Sequence, residues 1–111
     1  MVKFLSLSLK ICKANIMIVR IVKLTFKHEE ISNFLDIFEQ QKKFIAGFKG
    51  CSHISLLRDK THSNLFFTYS HWKDGKAVEL YREADFFQER WSKVKLKFAD
   101  KPQAWSLEKY E

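Results

Sequence analysis

Residues 64–91 read NLFFTYSHWKDGKAVELYREADFFQERW, and the fold turns on how they are read. The run from Leu65 to Trp72 is apolar and aromatic, with the composition and length of a strand. Lys73-Asp74-Gly75-Lys76 follows as a turn, where Asp74 can cap the next helix and Gly75 relaxes the backbone. Ala77 to Arg82 makes a short helical segment, and after a break at Glu83-Ala84-Asp85 a second helix begins. Phe87, Trp91, Val94 and Phe98 lie on one face of it, at a period of about 3.6 residues. A strand ending in Trp thus leads through a turn into a broken helix that carries Tyr81 and Trp91.

Upstream, MIVRIVKLTF (Met17 to Phe26) is a strand in which Arg20 and Lys23 interrupt β-branched and apolar residues. Its lack of strict alternation predicts that both faces are at least partly covered. Lys27 to Glu30 is a turn whose acids suit the start of a helix. Ile31, Phe34, Leu35, Phe38 and Ile45 form one apolar stripe on that helix, which ends near Gly47. Gly50 closes the loop into a second strand, Cys51 to Arg58, with Ile54 and Leu56 on a shared face. Asp59 to Asn64 is a polar hairpin connection. After the broken helix, Lys101-Pro102 ends the regular structure and Ala104 to Lys109 supplies a last strand. The expected order is βαββαβ with a split second helix, an α+β ferredoxin-like subunit.

The chain of 111 residues has room for one domain with a modest core. Eleven phenylalanines are many for that size and imply a Phe-rich core, or more buried surface than a monomer offers. Cys12 and Cys51 provide neither a disulfide framework nor a metal spacing, which suits a reducing, cytoplasmic setting. The net charge is +7, but Lys3, Lys10 and Lys13 fall in the first sixteen residues, where there is no acid. From Met17 onward 17 basic face 13 acidic side chains, a mild +4 that is no nucleic-acid signature.

Residues 1–16, MVKFLSLSLKICKANI, carry a lysine and a short apolar run broken by two serines. The run is shorter than the core of an export signal, no small-x-small cleavage site follows, and it is too short to span a membrane. The segment reads as an extension ahead of a domain covering 17–111, with Met17 a candidate start. An added strand or a degenerate export signal are the alternatives.

An order of βαββαβ serves many functions, so the residues must decide. An RNA-binding RRM would need a Gly-containing aromatic motif on its third strand; Leu65 to Trp72 has no glycine and aromatics on both faces. The four histidines, His28, His53, His62 and His71, show no metal-ligand spacing. Neither cysteine has an evident His partner, and there is no GxSxG elbow or glycine-rich phosphate loop.

Taken in order, the opening strand, Phe48-Lys49-Gly50-Cys51, Leu56-Leu57-Arg58-Asp59, Phe66 to Trp72, the ADFF…W segment from Ala84 to Trp91 and Lys101 to Ser106 resemble the antibiotic biosynthesis monooxygenase (ABM) family. The resemblance covers nearly all of Met17 to Lys109. It implies a homodimeric α+β barrel in which two sheets pack face to face, with a ligand cavity between the sheet and helices of each subunit. It also implies oxygen-dependent oxidation of a small aromatic or quinol substrate, with no metal or flavin cofactor. On its strength Thr68, Trp72, Tyr81 and Trp91 are expected to bind substrate. Arg20 would stabilise a phenolate, and His53 would accept its proton if it points inward. The alternative is a non-catalytic barrel that binds a small hydrophobic ligand. Nucleic-acid and membrane partners are not expected. Haem-degrading relatives use an Asn on the first strand and a His on the helical segment; neither stands here, which argues against that activity.

Overall fold

The computed structural model describes residues 17–110, so the expectations for residues 1–16 lie outside the described part. Strands β1 (Ile18–Thr25), β2 (Cys51–Arg58), β3 (Leu65–Trp72) and β4 (Gln103–Glu108) form one sheet in the order β2-β3-β1-β4. Every pairing in it is antiparallel. Helices α1 (Ile31–Ala46), α2 (Gly75–Glu83) and α3 (Asp85–Val94) are the other regular elements, with short 3-10 turns at His28–Glu30 and Lys95–Lys97. This is the α+β, ferredoxin-like arrangement with a divided second helix. Among the described residues no helix is long and apolar enough to cross a membrane.

Side chains of a strand alternate between faces, so β1 and β3 each turn one set toward the helices. Leu24 and Phe66 join Phe26, Phe34, Phe38 and Val94 in one buried cluster. Phe26 is fully buried, its ring stacked 4.1 Å from that of Phe34 and 5.3 Å from that of Phe98. A second cluster gathers Ile45, Trp72, Ala77, Val78 and Tyr81 at the other end of the sheet. Several of the eleven phenylalanines are thus accounted for within one chain. Each fully buried ring contributes on the order of 1.5–3 kcal/mol.

The turn after β3 forms as expected: the Asp74 carboxylate accepts a hydrogen bond from the Ala77 amide at 2.9 Å and caps α2. The split follows at Ala84, whose extended backbone ends α2 and starts α3. Gly50 is the one residue with positive φ, at 96°, among those described. Its carbonyl accepts from the Lys73 amide at 2.8 Å, which ties the start of β2 to the end of β3.

Phe98 departs from the sequence reading. The last helix stops at Val94, and Phe98 is extended and bridges to Phe26 beyond the end of β1. The Lys97 carbonyl accepts from the Lys27 amide at 2.9 Å, and the Ala99 amide donates to the Thr25 carbonyl at 2.8 Å. Backbone pairing therefore delivers the Phe98 ring to the core that helical periodicity had assigned to it.

Candidate active site

A cavity of about 700 Å³ lies between the sheet and the helices, the size of pocket that takes a small organic ligand. Its floor is Arg20 and Val22 of β1 with Thr68, Ser70 and Trp72 of β3; Tyr81, Phe87 and Trp91 of the broken helix close it. Arg20, Thr68, Trp72, Tyr81 and Trp91 all line it. The fold thus places five of the six residues expected at the site around one space.

His53 is the sixth, and it lies elsewhere. The pairing of β2 with β3 slips between Cys51 and His53: Cys51 stands opposite Trp72, and His53 opposite His71. Ser52 is the extra residue of this bulge. His53 therefore shares the outer sheet face with His71 and Tyr69, their rings 5.3 and 5.8 Å away, and its Nε2 meets the Ser55 hydroxyl at 3.3 Å. The condition on which it was expected to act, pointing inward, is not met. Parity alone signalled this, since Ile54 and Leu56 face the helices and His53 alternates with them.

Each remaining residue has a definable role in the wall. Trp72 is buried, and its indole N–H donates to the Ser70 hydroxyl at 2.9 Å, so it offers the cavity apolar surface and no free donor. Trp91 stacks on Phe87, the rings 6.0 Å apart and 9° from parallel. Tyr81 is buried against Trp72, and its hydroxyl oxygen accepts a hydrogen bond from the Gln41 amide at 2.9 Å. Burial pushes the Tyr81 phenol up to about 12, against the opposing pull of the Gln41 bond and the Arg20 charge. Tyr81 is accordingly a neutral hydroxyl at physiological pH, a donor and not a base.

Arg20 stands opposite Ser70 on one side and Ser106 on the other, in the middle of the sheet. Its guanidinium donates to the Ser106 hydroxyl at 3.2 Å. Burial, then the nearby charge of Arg82, lowers its pKa from the usual arginine value; it remains a cation at neutral pH. Cys51, half-buried beside the second cluster, has its thiol pushed up by burial and packs as a small apolar group.

Gln41, Ser106 and Arg82 were not singled out from the sequence. Gln41 carried a signal: Phe34, Phe38, Gln41 and Ile45 recur at helical spacing, and a lone amide on an apolar stripe needs a buried partner. Ser106 becomes visible only through the pairing of β4 with β1. Among the described residues no group of three or more His, Cys, Asp or Glu is placed to hold a metal ion.

Residues 17–90 match the family model described as antibiotic biosynthesis monooxygenase. Solved structures share the fold. A conserved protein of Methanosarcina mazei Go1 superposes with a TM-score of 0.82 at 14% identity, covering 89% of this chain and 98% of its own. A Caulobacter crescentus CB15 protein, provisionally named an antibiotic biosynthesis monooxygenase, gives 0.81 at 19% identity, over 94% of this chain and 99% of its own. A point variant of SnoaB, a cofactor-independent oxygenase from Streptomyces nogalater, gives 0.76 at 15% identity, over 86% and 94%. No curated protein sequence matches significantly.

Proposed function

The chain belongs to the antibiotic biosynthesis monooxygenase family, and from that premise we propose that it oxidises a small hydroxyaromatic or quinol substrate with molecular oxygen. The observation that carries this reading is the cavity itself: aromatic walls from Trp72, Phe87 and Trp91 around one inward cation, Arg20, and one neutral phenol, Tyr81. A hydroxyaromatic that has lost its proton can pass an electron directly to oxygen. The protein then needs to bind the ring, shield it from water and stabilise the anion. Arg20 supplies the positive charge at the phenolate, and Tyr81 can donate a hydrogen bond to the same region. Thr68 adds a hydroxyl to the floor.

No histidine lines the cavity, so the substrate proton passes to solvent or to the carboxylates of Glu79 and Glu83, which also line it, helped by the field of Arg20. The rate should therefore rise with pH along the ionisation of the bound phenol, without the inflection near pH 6.5 that a histidine base would impose. Aerobic turnover of a hydroquinone panel by metal-free protein, measured across pH 5 to 9, tests this. The missing imidazole is also what favours a second reading, a barrel that holds a small hydrophobic ligand without turning it over. Binding of the same panel with no oxygen consumed would select it.

The assembly belongs to the same proposal. The sheet face turned away from the helices exposes Leu57, Trp105 and Leu107 to about half, at 50%, 42% and 44%. In the register of the sheet these residues stand opposite Phe67, Ile21 and Val19, which makes the face largely apolar, with Lys23, His53 and His71 as its polar members. A second copy packed on it would complete the dimeric barrel that the family resemblance implies. With Cys51 a free thiol, a reducing cytoplasm remains the expected setting.

A further inference from the structure

We propose that His53 and His71 bind a divalent ion of the zinc class on the outer face of the sheet, with the Tyr69 hydroxyl as a third donor and water completing the shell. The site lies across the sheet from the cavity and is independent of the oxidase reading.

The histidines have no ligand spacing along the chain; strand pairing brings two of them together. The slip between Cys51 and His53 sets His53 directly opposite His71, and Ser55 opposite Tyr69. These four side chains form a square on the outer face. The two imidazole rings are 5.3 Å apart, centre to centre, and inclined by 51°. Two imidazoles on one tetrahedral ion, with metal–nitrogen bonds of about 2.0–2.1 Å, have their ring centres roughly 5 Å apart. Both Nε2 atoms lean the same way, toward the second pair. That of His71 lies 2.9 Å from the Tyr69 hydroxyl, and that of His53 lies 3.3 Å from the Ser55 hydroxyl. A hydroxyl that donates to Nε2 keeps the proton of a neutral ring on Nδ1, the tautomer that offers Nε2 to a metal. The set holds only two of the side chains that most often bind metals, and the phenol oxygen is its third member. The nearest like charge on this face is Lys23, which stands opposite Phe67, two pairs along β3 from His71. His53 lies near the start of the edge strand β2, so the pair occupies a corner of the face, with Trp105 and Leu107 on the far edge. Two nitrogen donors suit a borderline ion such as zinc, and not calcium or magnesium, which take oxygen.

The test titrates zinc chloride into the untagged full chain by calorimetry near neutral pH, with cobalt(II) as a coloured stand-in for zinc. One ion should bind per chain. Affinity should fall in His53→Gln and in His71→Gln by more than the roughly tenfold that loss of an outer-shell partner costs. It should stay unchanged in His62→Gln, whose imidazole pairs with Asp59 on the neighbouring loop. Binding should also weaken as pH falls toward 5, because both rings must be unprotonated to hold the ion. Cobalt should give the visible bands of a four-coordinate site with no thiolate charge-transfer band. Thermal melts show that each variant folds. No uptake of zinc, unaltered binding in the variant lacking both histidines, or a thiolate band that disappears in Cys51→Ser would each overturn the proposal.

Discussion

Tyr81 shows how one residue can be both structural and chemical. Its ring is packed among Trp72, Phe48 and Phe87, and its oxygen has Gln41 as a donor, so the hydroxyl proton is free to point elsewhere. Burial holds the phenol neutral in the folded protein up to about 12, against an ordinary value of 10.0. The folded state thus keeps its proton over a range in which the unfolded chain has lost it. The stabilisation is complete below pH 10 and disappears as pH rises through 12, a loss of about 2–3 kcal/mol across that window. Denaturant unfolding should show stability falling from pH 10 upward, and the slope should be shallower in Tyr81→Phe. At neutral pH the same substitution should cost about 1 kcal/mol, because the Gln41 amide loses its acceptor.

At the scale of elements, Gly50 and the bulge at Ser52 set which way β2 presents its side chains. A Cβ on Gly50 would lie 2.6 Å from that of Ala77, in a backbone conformation that L residues avoid. Gly50→Ala should therefore destabilise the fold by about 1–3 kcal/mol, measurable by thermal or urea unfolding. The bulge puts His53 on the outer face, so His53→Gln should leave the oxidation rate within about twofold and its pH profile unchanged. Sequence patterns read these elements well where local chemistry decides them. Asp74 capped its helix, Ala84 split the pair, and Phe34, Phe38 and Ile45 lay on the buried stripe. They failed where tertiary pairing decides. Phe98 reaches the core through a backbone bridge to Phe26, Ser106 meets Arg20 only because β4 lies beside β1, and periodicity carries neither fact. His53 lies between these cases, since its parity was readable and its bulge was not.

For the whole molecule, one sheet face has its core and the other has Leu57, Trp105 and Leu107 open to water in a single chain. If a second copy covers them, sedimentation should give twice the mass of the 13.3 kDa chain. Trp105→Glu should then shift it to monomer, since burying a carboxylate between two apolar sheet faces is costly. The cavity lies on the opposite side of the sheet, and under the proposed function its aromatic walls and the Arg20 guanidinium would let oxygen take electrons from an ionised ring. Oxygen uptake by the purified, metal-free protein with hydroquinones and anthrone-like aromatics tests that most directly. Saturable uptake above the spontaneous rate, reduced about a hundredfold in a folded Arg20→Ala variant, is the predicted result. Uptake no faster than the spontaneous rate, from protein that measurably binds the same compounds, would contradict it.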